Sequence, residues 1–335
     1  MLHKTFSVVA ILAVVSFHSA GAQTPTPTPP SHAATYTKLA FSDEFNGGSI
    51  DPAKWLLRRG NDGRSDNFPG GHRKSACVNL NNGNLELKVY TDNNDVGTKN
   101  DPKSPHKIGW IESQDQFVYG YIEARIRFDS EPGQWGAFWL QSPTNNFSTI
   151  EATNQETIPV DDVLAQFGAE IDIVEAMKQH KPRVTKNGNF GSTNPCSGSP
   201  APLPTWMTSA GPNKFVDLSG VLVTNLHWKE LALGEKISHT CGSKVRLKDI
   251  QSSFTDVQGD WHTYGLMWDD HSYTIFVDNV QVFQTTKAIS KAPETLLLTT
   301  QVGDGRFAGK TPAGGYGSAV TPQMKVDWVR WWQIP

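Results

Sequence analysis

The 335-residue chain carries 30 Lys+Arg against 33 Asp+Glu, a formal net charge of -3, and its pI is near 6.4. That balance holds no basic excess for tracking a phosphate backbone, which excludes nucleic acid as the principal ligand. Eleven Trp and 29 Gly suit a turn-rich β protein with much aromatic surface, and the length allows one large all-β domain or two average ones.

At the N-terminus, Lys4 precedes an apolar run over residues 6–17, and Ala20-Gly21-Ala22 has the A-x-A form of a cleavage site. Residues 1–22 are therefore predicted to be a secretory signal peptide. The run is too short to span a bilayer, and no Cys stands at the cleavage site to take a lipid. The mature chain is expected to be exported, extracellular or periplasmic, without a membrane anchor and monomeric. Residues 23–35 are rich in Thr and Pro and are predicted to be an extended, disordered linker, because proline fixes φ and nothing there can form a core. Residues 36–335 show no second linker and are expected to be one catalytic domain.

Alternation of period two recurs over residues 85–90, 121–128, 135–140, 221–228, 261–268, 273–277, 296–301 and 324–333, predicting a strand in each. Turn signals separate them, among them Asn81-Asn82-Gly83, Asp269-Asp270 and Asp278-Asn279. Helical periodicity is nearly absent; only residues 160–167 suggest a short helix. Many strands with few helices predict an all-β sandwich. In the strand over 121–128, Ile122, Ala124, Ile126 and Phe128 form the inward face, while Glu123 and Arg125 are expected on a solvated, cross-strand-paired face. An exported protein can keep disulfides. Cys196 and Cys241 stand in Gly-, Ser- and Pro-rich sequence read as loops and are expected to pair, leaving Cys77 as a buried thiol. The three Cys lack the spacing of a zinc site.

Glu170-Ile171-Asp172-Ile173-Val174-Glu175 places three carboxylates in a strand-forming apolar stretch. Like charges resist burial together, so folding alone gives little reason to keep them side by side; catalysis does. A regular strand would present Glu170 and Asp172 on one face and Glu175 on the other. One β-bulge between Asp172 and Glu175 shifts the facing by a residue and brings all three together, with Ile171 and one of Ile173 or Val174 entering the core. The Cα atoms of Glu170 and Glu175 are then roughly 13 Å apart at about 3.3 Å per residue. Two side chains reaching roughly 4 Å each leave about 5 Å between carboxyls. Retaining glycosidases need about 5–5.5 Å and inverting ones about 6.5–9.5 Å, so the spacing favours retention. One Glu must attack ionised while the other donates a proton, and mutual repulsion separates their proton affinities. The alternative, a calcium site or a solvated acidic face, suits a flexible loop better than an Ile/Val-rich strand. The long irregular stretches 143–168 and 182–220 flank the acids and are expected to wall a cleft.

From about Leu39 onward the chain resembles glycoside hydrolase family 16, whose bulged signature is E-[ILV]-D-[IV]-x-E. Phe41-Ser42-Asp43-Glu44-Phe45 is similar to the family's opening strand, and Tyr119-Gly120-Tyr121-Ile122-Glu123-Ala124-Arg125 to its Y-G-x-x-E-A-R segment. Ala137-Phe138-Trp139-Leu140 resembles its A-F-W segment, and Val326-Asp327-Trp328-Val329-Arg330 its closing strand. The resemblance implies a concanavalin-like β-jelly-roll sandwich with a concave cleft, and a retaining, endo-acting polysaccharide hydrolase. It implies Glu170 as nucleophile, Asp172 as the assisting residue and Glu175 as acid/base. No cofactor is implied for the chemistry, but a structural calcium is implied at Asp327, with Glu44 assisting. Trp135 and Trp139 share a strand face, which either sugar stacking or core packing accounts for. His227 resembles the cleft His of the family's H-W segment, or serves as a hydrogen-bonded structural His; Gln301 is a further candidate polar contact.

Two departures bear on substrate. Cys77 falls where relatives cleaving β-1,3-glucan often carry Asn, and their W-P-A-F-W is Trp135-Gly136-Ala137-Phe138-Trp139 here. The first expectation is β-1,3-glucan of the laminarin type. A second is a β-galactan such as agar, porphyran or carrageenan, for which Lys178, Lys181 and Arg183 beyond the acids would supply cations. A transglycosylase is a third outcome, and a lectin-like binding module, which would lose the acids, is the alternative from another class.

Overall fold

A computed structural model describes residues 26–57, 67–68, 70–97, 103–142, 168–182, 196, 202–212, 214–232, 235–303, 307–317 and 322–335. Two antiparallel sheets dominate. The front sheet runs in the order Glu235–Arg246, Val221–Ala232, Ala169–Met177, Gln134–Gln141, Glu294–Val302, Trp110–Phe117, Trp55–Leu57. The back sheet runs Val280–Thr285, Tyr273–Val277, Trp261–Trp268, Gly120–Phe128, Met324–Gln333, Asn84–Leu87, Val78–Asn81, and Lys38–Asp43 pairs with the far half of Met324–Gln333. Among the described residues the α-helices are single turns, Thr205–Thr208 and Leu247–Ile250. No described helix is long and apolar enough to cross a membrane. The expected sandwich is what the chain forms, and the strands read from alternation lie in it.

One of those strands divides. Residues 85–90 form Asn84–Leu87, which joins the back sheet, and Val89–Thr91, which pairs with His106–Ile108 in a small separate sheet. The strands Trp110–Phe117, Glu235–Arg246 and Val280–Thr285 had no clear alternation to announce them. The predicted signal peptide and the helix over 160–167 lie outside the described residues.

Between the sheets the inward positions interlock into one core, including Ile122, Ala124, Ile126 and Phe128 of the back sheet and Phe138, Leu140, Ile171, Ile173 and Val174 of the front. Gly136 belongs to this packing. A Cβ there would lie 2.7 Å from the Phe128 ring, so the sheets approach closely where a larger residue would push them apart. Cys196 and Cys241 form a disulfide, and Cys77 is a buried free thiol, its proton affinity pushed up to about 12 by desolvation. The pairing is as expected, although Cys241 lies in the strand Glu235–Arg246, opposite Leu226, rather than in a loop.

Two expectations are corrected together. The proline-rich segment is docked from residue 27 onward rather than disordered: Trp332 Nε1 donates to the Pro27 carbonyl at 3.2 Å. His32 stacks on Phe276 at 4.0 Å between ring centroids and meets Tyr121 edge-on at 5.2 Å, while Ala33 is fully buried. The segment needs no core of its own, because the back sheet supplies an aromatic patch. Glu123 stands beside that patch and is buried, not solvated. It accepts a hydrogen bond from Tyr121 Oη at 2.9 Å, and desolvation raises its proton affinity above that of an ordinary carboxylate.

Candidate active site

The acidic strand Ala169–Met177 lies between Gln134–Gln141 and Val221–Ala232 in the front sheet. Its pairing slips where parity demands: Trp139 stands opposite Asp172 but Phe138 opposite Val174, which leaves Ile173 as the extra residue. On the other side the register jumps between Asp172 and Glu175. This is the expected bulge, with one correction. Both Ile173 and Val174 are fully buried in the core, since the bulge turns two consecutive residues inward rather than selecting one.

The outward face of the sheet therefore carries all three acids, in different surroundings. The Glu170 side chain is 30% exposed, with His227 Nε2 3.9 Å from its Oε1, and its Oε2 accepts from Gln141 Nε2 at 2.8 Å. Asp172 is 5% and Glu175 8% exposed. Burial raises the proton affinity of Asp172, opposed by the hydrogen-bonded His227. Burial, then the adjacent Asp172, push Glu175 up to about 8, against the hydrogen bond from Asn225 Nδ2 to its Oε2 and the charge of His227. His227 answers the acids. Desolvation works against its protonation, but Asp172, Glu170 and Glu175 outweigh it and raise the imidazole to about 9. Its Nε2 faces Asp172 Oδ2 at 3.5 Å, and its Nδ1 is hydrogen-bonded to Thr240 across the strand pair. Donor atoms of Glu170, Asp172 and His227 lie within 4.8 Å of one another; with His227 protonated, the imidazolium supplies the positive charge that a cation would bring.

The predicted aromatic residues reach the same face. Trp135 and Trp139 are only 6% and 4% exposed and pack with Trp110, Met177, Val223 and Leu297 in a second apolar cluster. Trp110 meets Trp139 edge-on at 5.6 Å, and Trp139 Nε1 donates to Thr299 Oγ1 at 3.0 Å. Gln301 stands opposite Trp135, and its Nε2 lies 3.4 Å from Thr299 Oγ1.

Asp327 and Glu44 are elsewhere, on the back sheet and the turn beside it. Arg125 Nη1 donates to Asp327 Oδ2 at 2.6 Å, and Arg330 holds Glu44 through two hydrogen bonds of 2.9 and 2.7 Å. Calcium needs six to eight oxygens free to converge. These carboxylates are already neutralised by guanidinium groups, so the pair does not fit the implied calcium.

Residues that sequence reasoning passed over complete the site: Gln141, Asn225 and Thr240 by hydrogen bonding, and half-buried Lys244, aligned with Glu175 through Val223. Parity offered a signal for Asn225, two residues from His227 on one strand face. Lys244 had none.

Residues 67–156 and 235–330 match the sequence profile of glycosyl hydrolases family 16. The chain belongs to this family. A glucan endo-1,3-beta-glucosidase A1 of Niallia circulans is 23% identical over 91% of the chain, which spans 39% of that protein's length. Porphyranase B of Zobellia galactanivorans superposes with a TM-score of 0.60 at 21% identity, over 88% of this chain and 92% of that one. The endo-beta-1,3-glucanase of Pyrococcus furiosus superposes with a TM-score of 0.57 at 17% identity, over 89% and 94%. At these identities the superpositions speak for the jelly-roll fold that this family 16 protein shares with them. Membership places the chain among the glycoside hydrolases.

Proposed function

We propose that the protein is a secreted, retaining endo-β-glycanase in which Glu170 is the nucleophile, Glu175 the acid/base and Asp172 the assisting residue. The observation that carries this reading is the contrast between two carboxyls of one strand. Glu175 is enclosed and still protonated near neutral pH, while Glu170 is open to the cleft and hydrogen-bonded by Gln141. Glu170 attacks the anomeric carbon as Glu175 gives its proton to the departing glycosidic oxygen. Glu175, now ionised, then takes a proton from the water that releases the sugar from Glu170. Asp172, facing His227 Nε2 at 3.5 Å, lies on the same strand face between the two glutamates and assists them.

The first substrate proposed is β-1,3-glucan, supported by the Niallia circulans relative's name as a glucan endo-1,3-beta-glucosidase. A second reading, a β-galactan bearing anionic groups, is favoured by cations near the acid/base: Lys178 is exposed just past the end of the acidic strand, and Lys244 and Arg246 share a strand face on the neighbouring edge. Arg183, the third cation expected there, lies outside the described residues. Secretion is supported by the N-terminal pattern and by the Cys196–Cys241 disulfide, a bond kept in oxidising compartments.

Reducing-end release from laminarin, mixed-linkage glucan, agarose, porphyran and carrageenan tests the substrate: activity confined to the galactans would reject β-1,3-glucan. Glu170→Gln tests the chemistry. Cleavage at the wild-type rate by that variant would reject the assignment.

A further inference from the structure

Asn225 lies on the strand Val221–Ala232, opposite Asp172 of the acidic strand on one side and Gly242 of the edge strand on the other. Its Nδ2 donates to Glu175 Oε2, and the room for that amide is made by the edge strand. A Cβ on Gly242 would lie 2.2 Å from Asn225 Oδ1 and 2.5 Å from the Thr224 carbonyl oxygen. Any side chain at position 242 therefore displaces the amide and presses on the strand that carries it. Glycine inside a strand weakens it and commonly marks a close approach; here the approaching group is an amide in contact with a catalytic carboxyl.

We propose that Asn225 is a positioning residue for Glu175, and that Gly242 provides the space in which it acts. The proposal rests on the reading of Glu175 as acid/base. A neutral carboxyl accepts hydrogen bonds better at its carbonyl oxygen than at its hydroxyl oxygen. An N–H donor on Oε2 therefore places the proton on Oε1. Rotation of the carboxyl is also restrained, so the proton stays where the leaving oxygen must meet it.

Other charged groups around Glu175 define what a pH experiment reads. Asp172 and Glu170 face it from its own strand, His227 from the next, and Lys244 from the edge strand, opposite Val223. The strand on the other side contributes Ala137 and Trp139, neither of them titratable. Asn225 also stabilises the ionised form of Glu175, so losing it drives Glu175 toward greater proton affinity.

The test compares Asn225→Ala, Gly242→Ala and the double variant by kcat/KM over pH, on the cleaved polysaccharide and on an aryl glycoside with a dinitrophenolate leaving group. Each single variant should lose about tenfold on polysaccharide, the upper scale of one buried neutral hydrogen bond. Each should also move the alkaline limb upward and lose less on the aryl glycoside, whose departure needs no proton. The double variant should be no worse than the poorer single, since both changes remove one interaction. An unmoved alkaline limb, an equal loss on both substrates, or additive losses would overturn the proposal. If Asn225→Ala does not fold, Asn225→Ser, too short to reach the carboxyl, is read by the same criteria. Glu175→Gln separates the two levels. If it keeps polysaccharide cleavage with the alkaline limb intact, the acid/base reading fails; if it abolishes both while the Asn225 variants match wild type, only the positioning role fails.

Discussion

His227 faces Asp172, with Nε2 3.5 Å from Oδ2. The imidazole, raised to about 9, is a cation at neutral pH, and its charge opposes the rise in proton affinity that burial imposes on both Asp172 and Glu175. Replacing it by Asn keeps a polar side chain and removes the charge. His227→Asn is expected to lower kcat/KM by about tenfold, as for a charge-assisted hydrogen bond, and to shift the alkaline limb upward. A pH-rate series on the variant checks both.

The wild-type pH profile follows from Glu175. The acid must carry its proton to serve the first step, and its affinity stands at about 8. The sign is that of a raised group: activity is retained through neutral pH and declines as pH rises past about 8. Measuring kcat/KM from pH 5 to 10 in constant ionic strength checks the position of that limb.

A different pair governs stability on the back sheet. His262, 3% exposed, binds Asp278 Oδ2 through Nδ1 at 2.7 Å, and its Nε2 lies 3.1 Å from both Thr255 Oγ1 and the Asp256 carbonyl. Desolvation opposes protonation of His262, but Asp278 outweighs it and the group is raised; desolvation likewise opposes ionisation of Asp278, but His262 outweighs it and the group is lowered. The raised His stabilises the fold fully below its unfolded value near 6.5 and ceases to do so as pH climbs through its folded value. The lowered Asp stabilises above its unfolded value near 3.8 and ceases as pH falls through its folded value. The pair thus contributes most in mildly acidic solution. Asp278 is 39% exposed, so screening limits the expected cost of His262→Ala to about 1–2 kcal/mol, to be measured by urea unfolding at pH 5.5 and 8.5, with the larger loss at 5.5.

The Cys196–Cys241 disulfide spans 45 residues and ties the edge strand Glu235–Arg246 to the stretch between the acidic strand and Val221–Ala232. Cys241→Ser should cost about 2–4 kcal/mol. Reducing agent should lower the wild-type melting temperature and leave the variant's unchanged.

The N-terminal segment predicts a third stability effect. Deleting residues 26–36 uncovers Tyr121, Phe276 and Trp332, which His32, Ala33 and Tyr36 cover. A loss of about 2–3 kcal/mol is expected from the apolar area returned to water. The accompanying red shift of tryptophan emission would report Trp332.

How much was legible in the sequence depended on where each constraint resides. The acids, and the parity conflict that required a bulge, lie within six residues of one strand. Trp135 and Trp139 lie two apart, so their shared face was readable, but their burial was not, because Trp110 and Phe307 arrive from other parts of the chain. Asn225 meets Glu175 across 50 residues, and only strand register creates that contact. The edge strand Glu235–Arg246 was unreadable because it alternates polar with polar, as an edge needs little apolar surface. The proline-rich segment misled for the opposite reason: composition reports what a segment can bury by itself, not what a sheet holds ready for it.

The central claim is that Glu170 forms the covalent intermediate. Its most direct test is mass spectrometry of peptides after incubation with a 2-deoxy-2-fluoro-β-glycoside of the sugar the enzyme cleaves, which traps a glycosyl-enzyme. The label is predicted on Glu170, with Glu175 unmodified. A label on Glu175, or an unlabelled protein that turns over its polysaccharide with inversion at the anomeric carbon, would contradict it.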